Sequence, residues 1–149
     1  MKPYAKLLAM TAVSTVVMFG LMYLNTFRAE HVFFSETRSY MALVMGATMA
    51  VLMFAFMHSM YPNRSANAAL VAGAVALFAG SLWLVRSQTI VDDVSYMRAM
   101  IPHHSIAILT SERAHLTDLR VRELAARISA TQKLEIEEMK ALIAKLDQR

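Results

Sequence analysis

The sequence predicts an all-α membrane protein, three spans followed by an antiparallel helical hairpin, and three observations carry that expectation. The chain is 57% hydrophobic over 149 residues, too apolar for an ordinary soluble domain of this length. Three windows lack charge entirely: Leu7 to Phe27, Ser39 to Asn63 and Ser65 to Val85. Each meets the roughly 20 residues that a bilayer core requires. Beyond Arg86 the composition changes, and residues 92–149 hold nine Lys or Arg and nine Asp or Glu. That region belongs in water, which divides the chain into a membrane region, 1–88, and a C-terminal domain, 89–149.

The spans are expected at about 7–25, 40–60 and 66–85. The first follows Lys2 and Lys6 and could be mistaken for a secretory signal, but its apolar run continues to Leu24 without a small-residue cleavage site. It is read as retained. The net charge of +4 lies wholly in the first 91 residues, where Lys2, Lys6, Arg28, Arg38, Arg64 and Arg86 outnumber Glu30 and Glu36. Charges placed at span ends mark membrane flanks and exclude a nucleic-acid surface. The basic start favours an N-terminus inside, so an odd number of spans puts the C-terminal domain outside. The expected location is a bacterial inner membrane with that domain extracytoplasmic.

The second span carries Met41, Met45, Met49, Met53 and Met57 at a spacing of four, with Met60 beyond. Such a ridge extends about 24 Å, and a thioether relay for Cu(I) is one use for it. Beside it runs a row of small residues, Ala42, Gly46 and Ala50, matched on the third span by Ala72, Ala76 and Gly80. Small-xxx-small rows let membrane helices pack closely, and methionine is an adaptable filler along such a seam. Packing is the favoured reading.

In the C-terminal domain a first helix is expected to open near Thr89, with Asp92 completing a capping box, and to run to about Leu116. Pro102 bends it from the outer face. Thr117-Asp118 supplies a new N-cap, and a second helix continues to about Leu146. At 100° per residue, Asp93, Met97, Met100, His104, Ala107, Ile108 and Ser111 share one face of the first helix. Val121, Leu124, Ala125, Ile128, Gln132, Ile136, Met139, Ile143 and Leu146 share one face of the second, with Glu135 at its edge. Docking about a turn near Thr117 sets His104 level with Gln132, Met100 with Glu135 and Met97 with Met139.

Those coincident heights give the candidate site. Met97, Met100, His103, His104, Glu135 and Met139 are the candidate metal ligands, with His31 and Gln132 as weaker ones. Thioether and imidazole form a soft ligand set suited to copper, particularly Cu(I), and with no cysteine in the chain methionine is the only sulfur donor. A hydrogen-bonded His104–Gln132 pair among core methionines is the alternative. Adjacent residues diverge by about 100° on a helix, so His103 is directed instead to a neighbouring chain or to the loop bearing His31. Glu112-x-x-His115 matches a di-iron ligand pair, but the same register places Glu112 beside Glu123 and about three turns from Glu135. No cysteine nucleophile, nucleophile elbow or glycine-rich phosphate loop is present, and no catalytic residue is expected.

The pattern of Met97, Met100, Ile101, His103, His104, Ala107, Leu124, Ala125, Gln132, Glu135, Ile136 and Met139 resembles the family catalogued as domain of unknown function 305, over residues 89–147. The resemblance implies a ferritin-like helical domain and, from methionine-rich members, copper binding outside the cytoplasm. Leu119 stands where the family often has proline after the cap. The function expected is therefore a membrane-anchored metal-binding protein, non-enzymatic, engaged in copper binding or homeostasis. A non-catalytic accessory or scaffolding subunit of a larger membrane complex is the alternative. Three spans place the loop from Asn25 to Ser39 on the same side as the C-terminal domain. The small core of an isolated hairpin calls for either a second copy or that loop to complete its burial. The partners expected are the bilayer and a homo-oligomer or a membrane-complex partner.

Overall fold

A computed structural model describes residues 3–148; Lys2 and Arg149, both counted above among the charges, lie outside the described residues. All regular structure among the described residues is helical: α1 (Pro3–Leu21), α2 (Glu36–Phe56), α3 (Arg64–Ser87), α4 (Asp93–Arg113) and α5 (Leu119–Leu146), with short 3-10 turns at Ala29–His31 and His58–Met60. The first three, of 19, 21 and 24 residues, are long and apolar enough to cross a membrane. The chain forms two compact units. One joins the segment ending at Met22 to Thr37–Ile90; the other joins Tyr23–Glu36 to the chain from Val91 onward. The division expected at 88/89 follows chain order, and the loop between α1 and α2 packs with the C-terminal helices, as one of the two covers open to the hairpin.

In the first unit α1 and α2 run in opposite senses. Thr11 donates to the Met53 sulfur at 4.0 Å, Arg38 reaches the Met22 carbonyl, and the Tyr4 and Tyr61 rings stand 5.0 Å apart. One end is clasped by polar groups, as the Tyr4 hydroxyl donates to Asn67 Oδ1 at 2.8 Å and Asn67 Nδ2 donates to the Tyr61 carbonyl at 2.9 Å. Asn63 caps α3 by accepting from the Ala66 N–H. The small row of α2 is buried, but its partner differs from the expectation. A Cβ built on Gly46 would run into the Thr15 hydroxyl of α1, while one on Gly80 would meet nothing within 4 Å. Ala72 and Ala76 are exposed. Thr11 and Thr15 occupy the space that the third helix was expected to fill, and α3 instead lines one side of an apolar groove of about 790 Å³ with Leu8, Thr15, Gly46, Ala50, Gly73 and Leu77 among its walls. The methionine ridge beside this seam is only half-covered, Met41 and Met49 remaining 37% exposed.

The second unit is built on a tightly packed α4–α5 pair resembling a hairpin. Its core is Met97, Ile101, Ile108, Ile136 and Ile143, flanked by Phe27, Phe33, Val94, Met139 and Leu146. Arg98 pairs with Asp147, His104 with Glu135, and Glu112 with Ser129 and Lys133, so residue numbers rise along one helix as they fall along the other. This register differs from the one expected. α4 ends at Arg113 through extended backbone at Ala114, and Asp118 enters α5 in extended backbone, accepting from the Arg120 N–H at 2.8 Å. The connection of five residues, 114–118, turns once where the Leu116 N–H donates to the Ala114 carbonyl at 3.0 Å, and it leaves room for α5 to begin past the end of α4 before running back. His104 therefore meets Glu135 rather than Gln132. Val121 and Leu124, expected to face inward, are about half exposed, because no α4 residue lies opposite them.

Two further details depart from the sequence reading. Asp92 is itself the cap of α4, its carboxylate accepting from the Ser95 N–H at 2.7 Å, since Gln88 closes α3 in the left-handed region at φ 53° and the backbone is extended at Asp92. Thr89 thus lies before the helix. Pro102 is fully buried rather than on an outer face, on the side of α4 that also carries Ser105.

Crowding at the α1–α2 seam makes a direct forecast. Gly46→Leu forces the two helices apart and lowers the midpoint of thermal unfolding in detergent, by about 1–3 kcal/mol of stability. The paired change Gly46→Ala with Thr15→Ala, which removes the hydroxyl as the methyl arrives, unfolds near the parent temperature, whereas Gly46→Ala alone does not.

Candidate metal-binding groove

Five of the residues singled out in the sequence line one open groove of about 670 Å³ between α4 and α5: Met97, Met100, His104, Glu135 and Met139. Asp93, Tyr96, Glu138, Leu142, Lys145 and Leu146 complete its walls. The helices bring them together because Ile101 and Ile108 face Ile136 and Ile143 across the core. On α4 Met97 continues that stripe while positions 100 and 104 fall on its flank, and on α5 so do 135, 139 and 142.

His104 is held by both ring nitrogens. Nδ1 lies 3.0 Å from the Met100 carbonyl, one turn back on the same helix. A carbonyl only accepts, so Nδ1 carries a proton. Nε2 stands 2.9 Å from Glu135 Oε2; that carboxylate contact calls for a proton there as well, and an ion bound at Nε2 would take that proton's place. Gln132 donates to that same oxygen at 3.2 Å; its place is behind the carboxylate, orienting it, and not among the groove walls. The expected His104–Gln132 pair is thus replaced by a His104–Glu135 pair that Gln132 supports.

Two candidates lie elsewhere. His103 is exposed on α4, its ring centroid 6.3 Å from that of His104 and the planes tilted by 64°; adjacent helical positions diverge too far to share the groove. His31 is buried on the opposite flank of the core stripe. Its Nδ1 is 2.9 Å from the Ser105 hydroxyl, which also accepts from the Phe27 N–H at 2.7 Å. Ser105 is fully buried and docks the Tyr23–Glu36 segment onto α4. Sequence reasoning passed over Ser105, and the only available signal was a small polar residue three positions from the helix proline Pro102 on an otherwise apolar flank.

The di-iron alternative loses its partner in this register. Glu112 accepts from the Ser129 hydroxyl at 2.8 Å and from Lys133, and these bonds, Lys133 first, hold its carboxyl below the usual range. No group of three or more His, Cys, Asp or Glu able to hold a metal occurs among the described residues. Met97, Met100, Met139 and His104 bring soft donors to a groove whose walls also carry the carboxylates of Asp93, Glu135 and Glu138, and of the common ions a cuprous one is best matched to the thioether and imidazole members.

Burial holds the His31 imidazole below its ordinary pKa, with Lys140 adding to the effect and Glu30 opposing it. The folded form therefore binds fewer protons than the unfolded one around and below the ordinary value of 6.5. Stability from this contact is complete above that value and is lost as pH falls beneath it. Exchange of the Phe27 amide proton, corrected for intrinsic rate, is expected to quicken between about pH 7.5 and pH 5.5. In His31→Gln the acceleration disappears; an unchanged pH dependence there would assign it to another group.

Comparison with known proteins agrees with the composition of this unit. Residues 93–149 match the family model described as Domain of unknown function (DUF305). The chain is also 31% identical over 106 residues to a protein of Acanthamoeba polyphaga mimivirus described as Uncharacterized protein L153, an alignment covering 70% of this chain and 68% of the viral one. That alignment is longer than the matched domain, so the likeness reaches into the preceding helices. No solved structure matches. With a C-terminal DUF305 segment and a relative similar over two thirds of its length, the chain belongs to the DUF305 family.

Proposed function

We propose that this protein is a non-catalytic, membrane-anchored copper-binding protein that takes a cuprous ion into the α4–α5 groove. The observation that carries the reading is the meeting of Met97, Met100, Met139 and His104 at one groove with Glu135. The tether from His104 Nδ1 to the Met100 carbonyl supports it further, since a ring fixed through its second nitrogen keeps Nε2 aimed at the groove, where an ion would replace the proton shared with Glu135. Thioethers hold copper(I) without being deprotonated, so the neutral sulfurs supply affinity while Glu135 supplies the compensating charge. His103 is left free of the site, Gln132 orients Glu135, and His31 secures the neighbouring loop.

The three apolar helices anchor this groove to a bilayer, in a multi-pass arrangement with the groove on the extracytoplasmic side. There copper is met by a protein lacking cysteine, which leaves no thiol to oxidise. Copper homeostasis is the role this binding serves under the family resemblance, which also implies a ferritin-like helical domain.

The test is competition for copper(I) against a chromogenic chelator, using the full chain in detergent under anaerobic conditions. Met100→Leu and Met139→Leu keep side-chain volume and are expected to weaken binding by at least about tenfold each, as is His104→Ala, a loss of about 1.4 kcal/mol or more. Met18→Leu, on α1, binds as the parent does. Parent protein that takes up no copper, or groove variants that bind as tightly as the parent, would overturn the assignment.

A further inference from the structure

The segment leading into α2 carries its polar and apolar side chains the wrong way round for a surface in water. After the 3-10 turn at Ala29–His31 the backbone is extended at Val32, and no helix resumes until Glu36. Side chains along an extended stretch alternate between two faces. His31 and Ser35 are buried, at 5% and 1% exposure, and Phe33 packs against the core. Val32 and Phe34, between them, are 48% and 64% exposed. A stretch facing water ordinarily turns its apolar members inward and its polar ones outward. Here an imidazole and a hydroxyl are inside, and the outward face is a valine beside a phenylalanine.

The inward contacts leave that face little freedom to turn over. His31 Nδ1 and the Phe27 N–H both meet the buried Ser105 hydroxyl, and the Ser35 N–H donates to the Tyr23 hydroxyl at 3.0 Å. Both flanking carboxylates are engaged within the unit, Glu30 by Arg28 and Lys140 and Glu36 by the Ser95 hydroxyl at 3.4 Å. Holding polar groups inside while an aromatic ring stands outside costs stability in water. The same arrangement is favourable when the outside is apolar.

We infer that Val32 and Phe34 insert into the lipid interface, so that the C-terminal unit grips the bilayer surface through the Tyr23–Glu36 segment. The position of that segment in the chain selects lipid as the occupant. Glu36 opens α2 about 5 Å before Ser39, where the charge-free window begins. That places Glu36 inside an interfacial layer about 5–8 Å deep on each side of the hydrocarbon. Phe34 lies two residues away, at most about 7 Å of chain. Exposed apolar side chains at that depth meet headgroups and the first carbons of the acyl chains. The contact rests on the apolar helices crossing a bilayer and is independent of copper. Because Phe27 and His31 fasten the same segment to Ser105, the lipid contact is passed directly to α4, the helix that carries Met97, Met100 and His104.

The chain has a single tryptophan, Trp83 on α3, so fluorescence in phosphatidylcholine vesicles gives a direct test. Trp83 of the parent is expected to be quenched by lipid brominated in mid-chain, which checks the span by itself. On a Trp83→Phe background, Phe34→Trp and Val32→Trp are introduced singly. Leu119→Trp, 63% exposed at the start of α5 and at the end of the hairpin away from the Ser95–Glu36 contact, is the water-facing reference. Lipid brominated near the ester end of its chains is expected to quench Phe34→Trp and Val32→Trp at least about twofold, since interfacial side chains reach about 5–10 Å into that boundary. Leu119→Trp is quenched instead by aqueous iodide. If Phe34→Trp and Val32→Trp respond as Leu119→Trp does while Trp83 is quenched by lipid, the interfacial contact is overturned and the spans stand. Shielding of both from bromine and from iodide puts protein over this face and overturns the contact as well. An unquenched Trp83 removes the spans and the contact together.

Discussion

Four isoleucines set the rotation of the two C-terminal helices, and every polar feature of that unit takes its place from them. With Ile101 and Ile108 turned toward Ile136 and Ile143, α4 has two flanks of different character. One carries Met97, Met100 and His104 and opens to the groove. The other carries Ser105 and receives the loop through Phe27 and His31. A rotation of about 100°, one residue on a helix, would bury His104 in the core and expose Ser105, so the apolar stripe protects both arrangements at once. Burial of such side chains contributes about 1.5–3 kcal/mol each, more than any one of the hydrogen bonds beside them.

The first unit relies on different forces. Helices long and apolar enough to lie in lipid gain little from hiding hydrocarbon from hydrocarbon, and close approach with a few polar contacts takes over. Gly46 admits Thr15, the Thr11 hydroxyl meets the Met53 sulfur, and Tyr4 ties α1 to Asn67 of α3. The contrast appears in composition. Alanine, glycine and threonine do in this unit what isoleucine does in the other.

Much of the architecture was legible because each element announces itself locally. Charge-free runs marked three helices, the Asp118 carboxylate marked the start of α5, and a 3.6-residue period put Met97, Met100, His104 and Met139 on facing surfaces. What could not be read was how the surfaces slide. A tight turn at Thr117 and the longer connection from Ala114 to Asp118 differ by several residues of register, and no residue type in Ala114-His115-Leu116-Thr117-Asp118 distinguishes them. Hence the thioethers were matched correctly by face while the partner of His104 was mistaken, Glu135 standing where Gln132 was expected. The pairing of small residues failed for a related reason. A row of alanines and glycines says that something approaches closely, but not which neighbour does, and Thr15 carried no sign of its role. The packing of Tyr23–Glu36 with the distant α4 depends on Ser105, whose importance emerges only when Phe27 is brought beside it.

That loop makes the C-terminal unit discontinuous in sequence. A fragment cut at the family boundary, beginning near Asp93, would retain all five groove residues yet leave behind Phe27 and His31, stripping the cover from Ser105 and baring part of the flank that holds Pro102. Such a truncated piece would be a damaged specimen, sticky on a side that is dry in the intact chain, and its behaviour in solution would describe the scar of the excision as much as the domain. Faithful dissection calls for a graft in which the Tyr23–Glu36 segment is spliced ahead of α4 by a flexible linker.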